Sequence, residues 1–369
     1  MNRKLATIQE IIDIKKINEG DKIEVAQILG WQCVVKKDEF KIGDLVVYVK
    51  IESVLPEKPE FEFLRNRKFR IKTIKLKGQV SQGLLLPLNY LPTKNYKEGD
   101  DVSEILEVTK YLSRSERNEL EQFEKKLLND KNKLRKFLMR YSFFRKLFVP
   151  RNEVKGFPVW VSKTDEERIQ NIPQVLNQYD NNTFTVTEKI DYQSVTFTSK
   201  MLPRFGGLLS KILPIKKYKF IVASRNFTTN NKSTLYWQIA KKYNIEEILK
   251  ENKSLTLQGE QGSAKVQDNK YGLKDIKLWV FNIYNHDCGY HYSYAEKKAF
   301  CDKYKLECVP LLRDNFVLPK TVEEMVELSK GKSSLANIHR EGIVVRCIEN
   351  GRKILSFKVI NPDFLLKYD

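Results

Sequence analysis

Short apolar runs broken by turn residues fill the first 108 positions of this chain and restrict what it can become. Lys22 to Leu29, Trp31 to Val35, Leu45 to Ile51, Phe69 to Leu76 and Leu84 to Leu86 are each of strand length. Gly30, Lys41-Ile42-Gly43-Asp44, Gly78 and Gly83 punctuate them. Strands of this length at this spacing predict a closed or nearly closed β barrel over residues 1–108. Gly-Asp recurs at Gly20-Asp21, Gly43-Asp44 and Gly99-Asp100, which reads as turn chemistry and not as a repeat architecture.

The pattern changes over residues 109–155. Leu120, Phe123, Leu127, Leu134, Phe137, Leu138, Tyr141, Phe144 and Phe148 recur at three- and four-residue steps, the spacing of a helix with one apolar face. Thr109 to Pro150 carries 12 basic and 5 acidic side chains, and no acid stands between Lys131 and Arg151. Three readings stand for this connector, in order: a solvated basic face, a nucleic-acid contact releasing counterions, and an anionic-lipid surface. A second acid-free basic segment, Lys200 to Lys219, reads as an insertion in a hairpin or loop.

At 369 residues the chain is long enough for two or three domains, and 41% hydrophobic side chains exclude wholesale disorder. No apolar run approaches the roughly 18–20 residues that span a bilayer. Met1 to Glu10 lacks the apolar core of a secretory signal. Five cysteines without a CxxC pair suit a reducing cytoplasm and not a disulfide framework. The formal charge of +19 points to an acidic partner, of which nucleic acid is the commonest.

Residues 156–369 mix strands and helices, so the expected class is α+β: an N-terminal barrel, a helical connector, and a C-terminal domain of antiparallel sheets with flanking helices. Phe184-Thr185-Val186-Thr187-Glu188-Lys189 alternates apolar and polar and reads as a strand. It ends in a lysine between Glu188 and Asp191. A lysine attacks only when deprotonated, so its ordinary pKa of about 10.4 must fall. Burial or a metal cation lowers it, and acidic neighbours raise it unless they are engaged elsewhere. Further along stand a Gly-Glu strand (Leu255 to Glu260), an aromatic strand (Leu278 to Tyr284), a Glu-Gly strand (Glu341 to Arg346) and a lysine-bearing strand (Ser356 to Ile360).

Together and in this order, these segments resemble the covalent nucleotidyltransferase superfamily of polynucleotide ligases and capping enzymes. More closely, the chain resembles the Deinococcus and Naegleria type of ATP-dependent RNA ligase. The likeness includes Leu29 to Lys37, Phe40 to Val49 and Arg70 to Gly83 in the barrel. It resumes at Lys163 to Asn171, Ala223 to Asn226, Gln267 to Gly272 and Phe357 to Leu366. The two basic stretches, about 110–150 and 200–219, have no counterpart in it.

The resemblance implies an OB-like barrel joined to an adenylyltransferase domain over 156–369. It implies a lysyl-AMP formed on Lys189, transfer of AMP to an RNA 5′-phosphate, and sealing by a 3′-hydroxyl. Lys358 and Glu341 are the further catalytic residues it implies. Glu188, Ile190, Asp191, Arg225, Glu260 and Phe281 would bind the nucleotide, with Glu188 at the adenine edge, Phe281 stacked on the ring, and Arg225 and Lys358 neutralising phosphate charge. Glu260 and Glu341 would hold the ribose or a divalent metal, Mg2+ or Mn2+. Arg168, Gln170, Lys72 and Lys75 are candidate contacts to RNA, as a nicked duplex or as free ends, and a monomer is the default state. Two positions depart from the pattern: Tyr192 stands where the superfamily has glycine, and Ile360 where a second lysine is frequent. Tyr192 must point away or reshape the pocket.

His286-x-Cys288-x-x-His291 offers no second pair for a four-ligand zinc site, and His339 reads as a turn residue. Within enzymes, the alternatives are a capping guanylyltransferase or a DNA ligase. Outside them, the alternative is an RNA-binding protein that keeps the fold without turnover.

Overall fold

The computed structural model describes residues 4–17, 22–93, 95–112, 156–163, 165–203, 215–264 and 267–368, with Arg117 and Glu121 besides. Most of the expected connector, 109–155, and the middle of the basic segment 200–219 lie outside the described residues.

The N-terminal part is built from β1 (Ala6–Glu10), β2 (Asp13–Lys16), β3 (Ile23–Ile28), β4 (Trp31–Lys36), β5 (Leu45–Val49), β6 (Ser53–Val54), β7 (Arg70–Ile71), β8 (Ile74–Leu76), β9 (Gln79–Ser81), β10 (Leu84–Leu86) and β11 (Thr109–Lys110). They pair as β1-β5-β10, β2-β3-β4, β11-β6-β7 and β8-β9. Period-two patterning sets which faces turn inward: along β4, Trp31, Cys33 and Val35 are buried and the residues between them are not. One core, including Ile8, Ile28, Trp31 and Tyr48, fills the interior. Each such side chain contributes roughly 1.5–3 kcal/mol on burial.

The C-terminal part adds β12 (Glu167–Arg168), β13 (Phe184–Lys189), β14 (Gln193–Pro203), β15 (Lys216–Ala223), β16 (Leu255–Gly262), β17 (Lys277–Asn285), β18 (Tyr290–His291), β19 (Glu307–Cys308), β20 (Leu311–Phe316), β21 (Gly342–Glu349) and β22 (Arg352–Ile360). One sheet runs β12-β22-β21-β13-β20; the other runs β15-β14-β16-β17-β18, with β19 on β17. The flanks of the basic segment 200–219 are the paired arms of the β14–β15 hairpin. Behind the first sheet, Phe184, Val186, Ile343, Val345 and Phe357 pack with Val322 and Met325 of the helix Val322–Ser329. Behind the second, Val195, Phe197 and Leu257 pack with Ile239, Leu249 and Cys301 from three helices.

With their apolar faces spent on helices, the sheets turn polar faces toward each other. Arg346 of β21 bridges them, donating to the Phe281 carbonyl of β17 at 2.9 Å. Thr196, Thr198, Thr256 and Gln258 are buried polar residues of the second sheet. Their hydrogen bonds run between strands, as between Thr198 and Thr256 at 2.8 Å, and to the segment before β12, as from Gln258 to the Ser162 carbonyl at 2.9 Å.

Barrel and catalytic part meet at a polar joint. Gly30 N donates to the Gln170 carbonyl at 3.0 Å, and Trp31 Nε1 donates to Asn171 Oδ1 at 2.7 Å. Among the described residues, no helix is long and apolar enough to cross a membrane.

Candidate active site

Strand alternation puts Lys189 between the sheets. Phe184, Val186 and Glu188 face one way on β13 and are buried; Thr185, Thr187 and Lys189 face the other. Register then selects its neighbours, because Lys189 lies opposite Gly342 and Gly342 opposite Ile360. A Cβ on Gly342 would come within 2.1 Å of the Val359 carbonyl oxygen, so only glycine lets the strands approach and presents Glu341 to the lysine.

The Lys189 ammonium donates to Glu341 Oε1 at 2.5 Å. Burial pulls its pKa down, yet the charges of Glu341, Glu260 and Asp191 outweigh burial and hold it above the ordinary lysine value. Glu260 answers in kind: burial pushes its carboxyl up to about 8, against the pull of Lys189. Glu341 is also raised, by burial first. Ser194 Oγ donates to Glu260 Oε1 at 3.0 Å, while Glu260 Oε2 and Glu341 Oε2 are buried and accept no hydrogen bond.

Beside this cluster, Asp165 Oδ1 accepts from Arg225 at 2.6 Å and from Lys358 at 3.3 Å. Burial works against the Asp165 charge, but Lys358 and Arg225 together hold its carboxyl down at about 2. Lys358 is pulled down to about 8, chiefly by burial, with Arg168 and Lys189 adding to the effect and Asp165 opposing it. Arg168 pairs with Lys358 along the parallel β12–β22 contact and donates to Glu52 of the barrel at 2.5 Å. Its Nε and one further guanidinium nitrogen are buried without partners.

Three residues after Lys189, Tyr192 is buried. It stacks on Trp279, centroids 5.9 Å apart at 10°, and its hydroxyl donates to Asn269 Oδ1 at 3.2 Å. Ile190, Tyr271 and Val309 complete this cluster, against which Phe281 packs. Gly262 makes room for the tyrosine, since a Cβ there would lie 2.7 Å from its ring. Lys270 donates to Asp191 Oδ2 at 2.5 Å and lies 5.2 Å from the centroid of Phe364 in the last helix.

Residues 182–360 match the RNA ligase family, and residues 5–88 match an OB-fold domain. Among solved structures, a Naegleria gruberi RNA ligase mutant with ATP and Mn is 29% identical. Its TM-score is 0.78, and the match covers 99% of each chain. The same organism's ligase with pyrophosphate, and a mutant of it with AMP and Mn, are each 28% identical at a TM-score of 0.77 over 99% of each chain. No protein of curated function matches the chain. The likeness to Naegleria-type ATP-dependent RNA ligases, first visible in scattered segments, thus runs the length of the chain, and the fold is an OB-fold domain joined to an α+β ligase domain.

Within the ligase domain the structure brings Lys189, Asp191, Glu260, Glu341 and Lys358 into one electrostatic cluster, with Arg225 joined through Asp165. Glu188 sits apart from it, because both its oxygens are engaged, one by Ser333 Oγ and the other by Ser334 N at 2.8 Å. Gln170 is buried in the joint to the OB fold, where its carbonyl accepts from Gly30. Lys72 and Lys75 are on the OB fold, Lys75 within β8 opposite Val80.

The ligand-free carboxylates also bear on a metal. Among the described residues no group of three His, Cys, Asp or Glu side chains could hold one by itself. Two buried carboxylates with an unused oxygen each do suit a hard cation that takes its remaining ligands from water and phosphate. Sequence reasoning assigned no role to Asp165, Ser194, Lys270, Ser333 or Arg346. Asp165 and Lys270 lay within segments that carried the resemblance; Ser333 had no signal.

Proposed function

We propose that Lys189 is the nucleophile of an ATP-dependent RNA ligase reaction, and that the sheet-to-sheet cleft is where the adenylate forms. The Lys189–Glu341–Glu260 cluster inside an RNA ligase domain carries this reading. In the first step Lys189 Nζ bonds to the α-phosphorus of ATP, and the bond to the departing pyrophosphate breaks. An RNA 5′-phosphate oxygen then takes AMP from the lysine. A 3′-hydroxyl oxygen finally bonds to that 5′-phosphorus and AMP leaves.

Each neighbour has work in this sequence. The lysine must lose a proton before it attacks, and the carboxylates that hold it charged are the groups a cation would recruit. A divalent cation on Glu260 and Glu341 would supply charge neutralisation at the phosphoryl oxygens and draw the amine pKa down. Arg225 and Lys358, which Asp165 keeps together, bind the phosphates as charge develops. Phe281 offers an aromatic face to adenine beside Ile190, and Asp191 is held in place by Lys270. Glu188 acts on adenine through the Ser333–Ser334 loop that it fixes. Arg168 and Gln170 join the OB fold to the phosphate cations, and Lys72 and Lys75 contact the RNA backbone, as nicked duplex or as ends.

We assign the OB fold to 1–108, a basic connector to 109–155 and the adenylyltransferase to 156–369, acting as a monomer. The five free cysteines fit a reducing cytoplasm. Intact-mass measurement after incubation with ATP and Mn2+ tests the chemistry. An AMP adduct that maps to Lys189, fails to form with GTP and is absent from Lys189→Ala supports it. Sealing of RNA by Lys189→Ala at the wild-type rate would overturn it.

A further inference from the structure

A cavity of about 180 Å3 opens along β13 beyond Thr187, and Lys189 is not among its walls. Thr185, Thr187, Asp314 and Arg346 line it, together with Tyr294 and Lys297 of the helix Tyr294–Lys303. Lys297 is 4% exposed, a rare state for a lysine. Its ammonium has three donors, and one goes to the Phe281 carbonyl at 3.1 Å. The ammonium also lies 4.7 Å from the Tyr294 ring centroid. Among the described residues no carboxylate forms an ion pair with it.

The neighbouring cation is different. Arg346 donates to Ser356 Oγ, to the Phe281 carbonyl and to Glu166 at 2.9 Å, so its charge and its donors are matched. Lys297 has no such carboxylate among the described residues, and only the Cys308 and Cys301 thiols beside it favour its charge. Burial, and next Arg346, pull it down to about 8, which still leaves it mainly cationic at neutral pH. A buried cation without a counter-ion is costly, and here it borders empty space. The first turn of its ten-residue helix adds partial positive charge at the same wall. Asp314, the acid on the lining, is exposed, and its Oδ1 already accepts from Thr185 Oγ1 at 3.3 Å and from Asn315 N at 3.0 Å. Nucleotide-sized pockets run to about 300 Å3 and more, so the volume selects something smaller.

We propose that this cavity binds a phosphate-sized oxyanion, with Lys297 Nζ as the charged anchor. The occupant is free inorganic phosphate or the terminal phosphoryl group of a polynucleotide. It shares Lys297 with the carbonyl of Phe281, whose strand also carries Trp279 of the Tyr192 cluster. The site does not depend on any chemistry at Lys189.

Calorimetric titration of the full-length protein with inorganic phosphate, without nucleotide, tests it. Lys297→Met weakens one phosphate site by roughly tenfold or more, the scale of a lost charged hydrogen bond. Lys297→Arg retains that site, and Lys358→Met leaves it in place. Phosphate binding unchanged in Lys297→Met overturns the proposal. On wild-type protein, acetylation of Lys297 read by peptide mass spectrometry slows when phosphate is added. Slowing by a 5′-phosphorylated trinucleotide as well identifies the polynucleotide source, and slowing by phosphate alone identifies the free ion. A Lys297 rate that neither changes also overturns the proposal, whatever happens at Lys358.

Discussion

Lys189 and Glu341 meet at the paired ends of β13 and β21, nitrogen to oxygen at 2.5 Å. The contact favours the protonated amine, so in the proposed reaction this proton must leave before Lys189 attacks. Replacing Glu341 by Gln removes the largest charge that holds the proton. Two readouts then move in opposite directions. Lys189 labels faster with an amine-specific reagent at neutral pH, while lysyl-AMP formation falls by roughly a hundredfold as the cation loses a ligand. Equal loss in both readouts would indicate a collapsed site.

Asp165 occupies Arg225 and Lys358, the two cations proposed to bind the triphosphate. In Asp165→Asn the competition ends, and the KM for ATP in adenylate formation drops by roughly three- to fivefold, the range of a half-exposed ion pair. Rates of adduct formation against ATP concentration measure it; a higher KM would show that Asp165 positions the cations and does not compete for them.

Lys358 sets an alkaline limit. Its folded pKa is lowered to about 8, so it is a cation below that pH and neutral above it. Phosphate binding needs the cation, so apparent ATP affinity declines from pH 7 to pH 9 at saturating metal. Lys358→Arg, always charged, flattens that decline even where its absolute affinity is lower.

Gly342→Ala tests how tightly the strand ends are packed. The added methyl meets the Val359 carbonyl at 2.1 Å and cannot move without parting β21 from β22. A loss of about 2–4 kcal/mol is expected from urea unfolding, with adenylate formation lost alongside.

Tyr192 stands where the superfamily that the chain resembles has glycine, and it fills a stack with Trp279 and Tyr271 in the cluster against which Phe281 packs. Tyr192→Phe therefore costs about 1 kcal/mol, for the bond to Asn269, and keeps adenylation near wild type. Tyr192→Gly lowers stability by about 3–5 kcal/mol through the cavity it leaves. A faster enzyme from Tyr192→Gly would contradict the geometry.

Much of this site was legible because its residues lie on strands. Alternation along 184–189 alone separates Lys189 from Glu188, and the Gly-Glu and Glu-Gly strands announce Glu260 and Glu341. Pairings that depend on chain crossing were not legible. Asp165 meets Lys358 across 193 positions, and Lys270 meets Asp191 across 79. Nothing local marks either contact. The orientation of Tyr192 was left open for the same reason, since Trp279 and Gly262, which receive it, come from two later strands. Glu188 shows another limit: its partners are backbone and hydroxyl groups of a loop without any pattern.

The two-residue strand β12 touches the OB fold through Arg168 and Glu52 and, by the same residue, runs beside Lys358. A single rung of backbone therefore separates the residue that holds the OB fold from Lys358, so the two ends of this molecule are joined by one short hydrogen-bonded path.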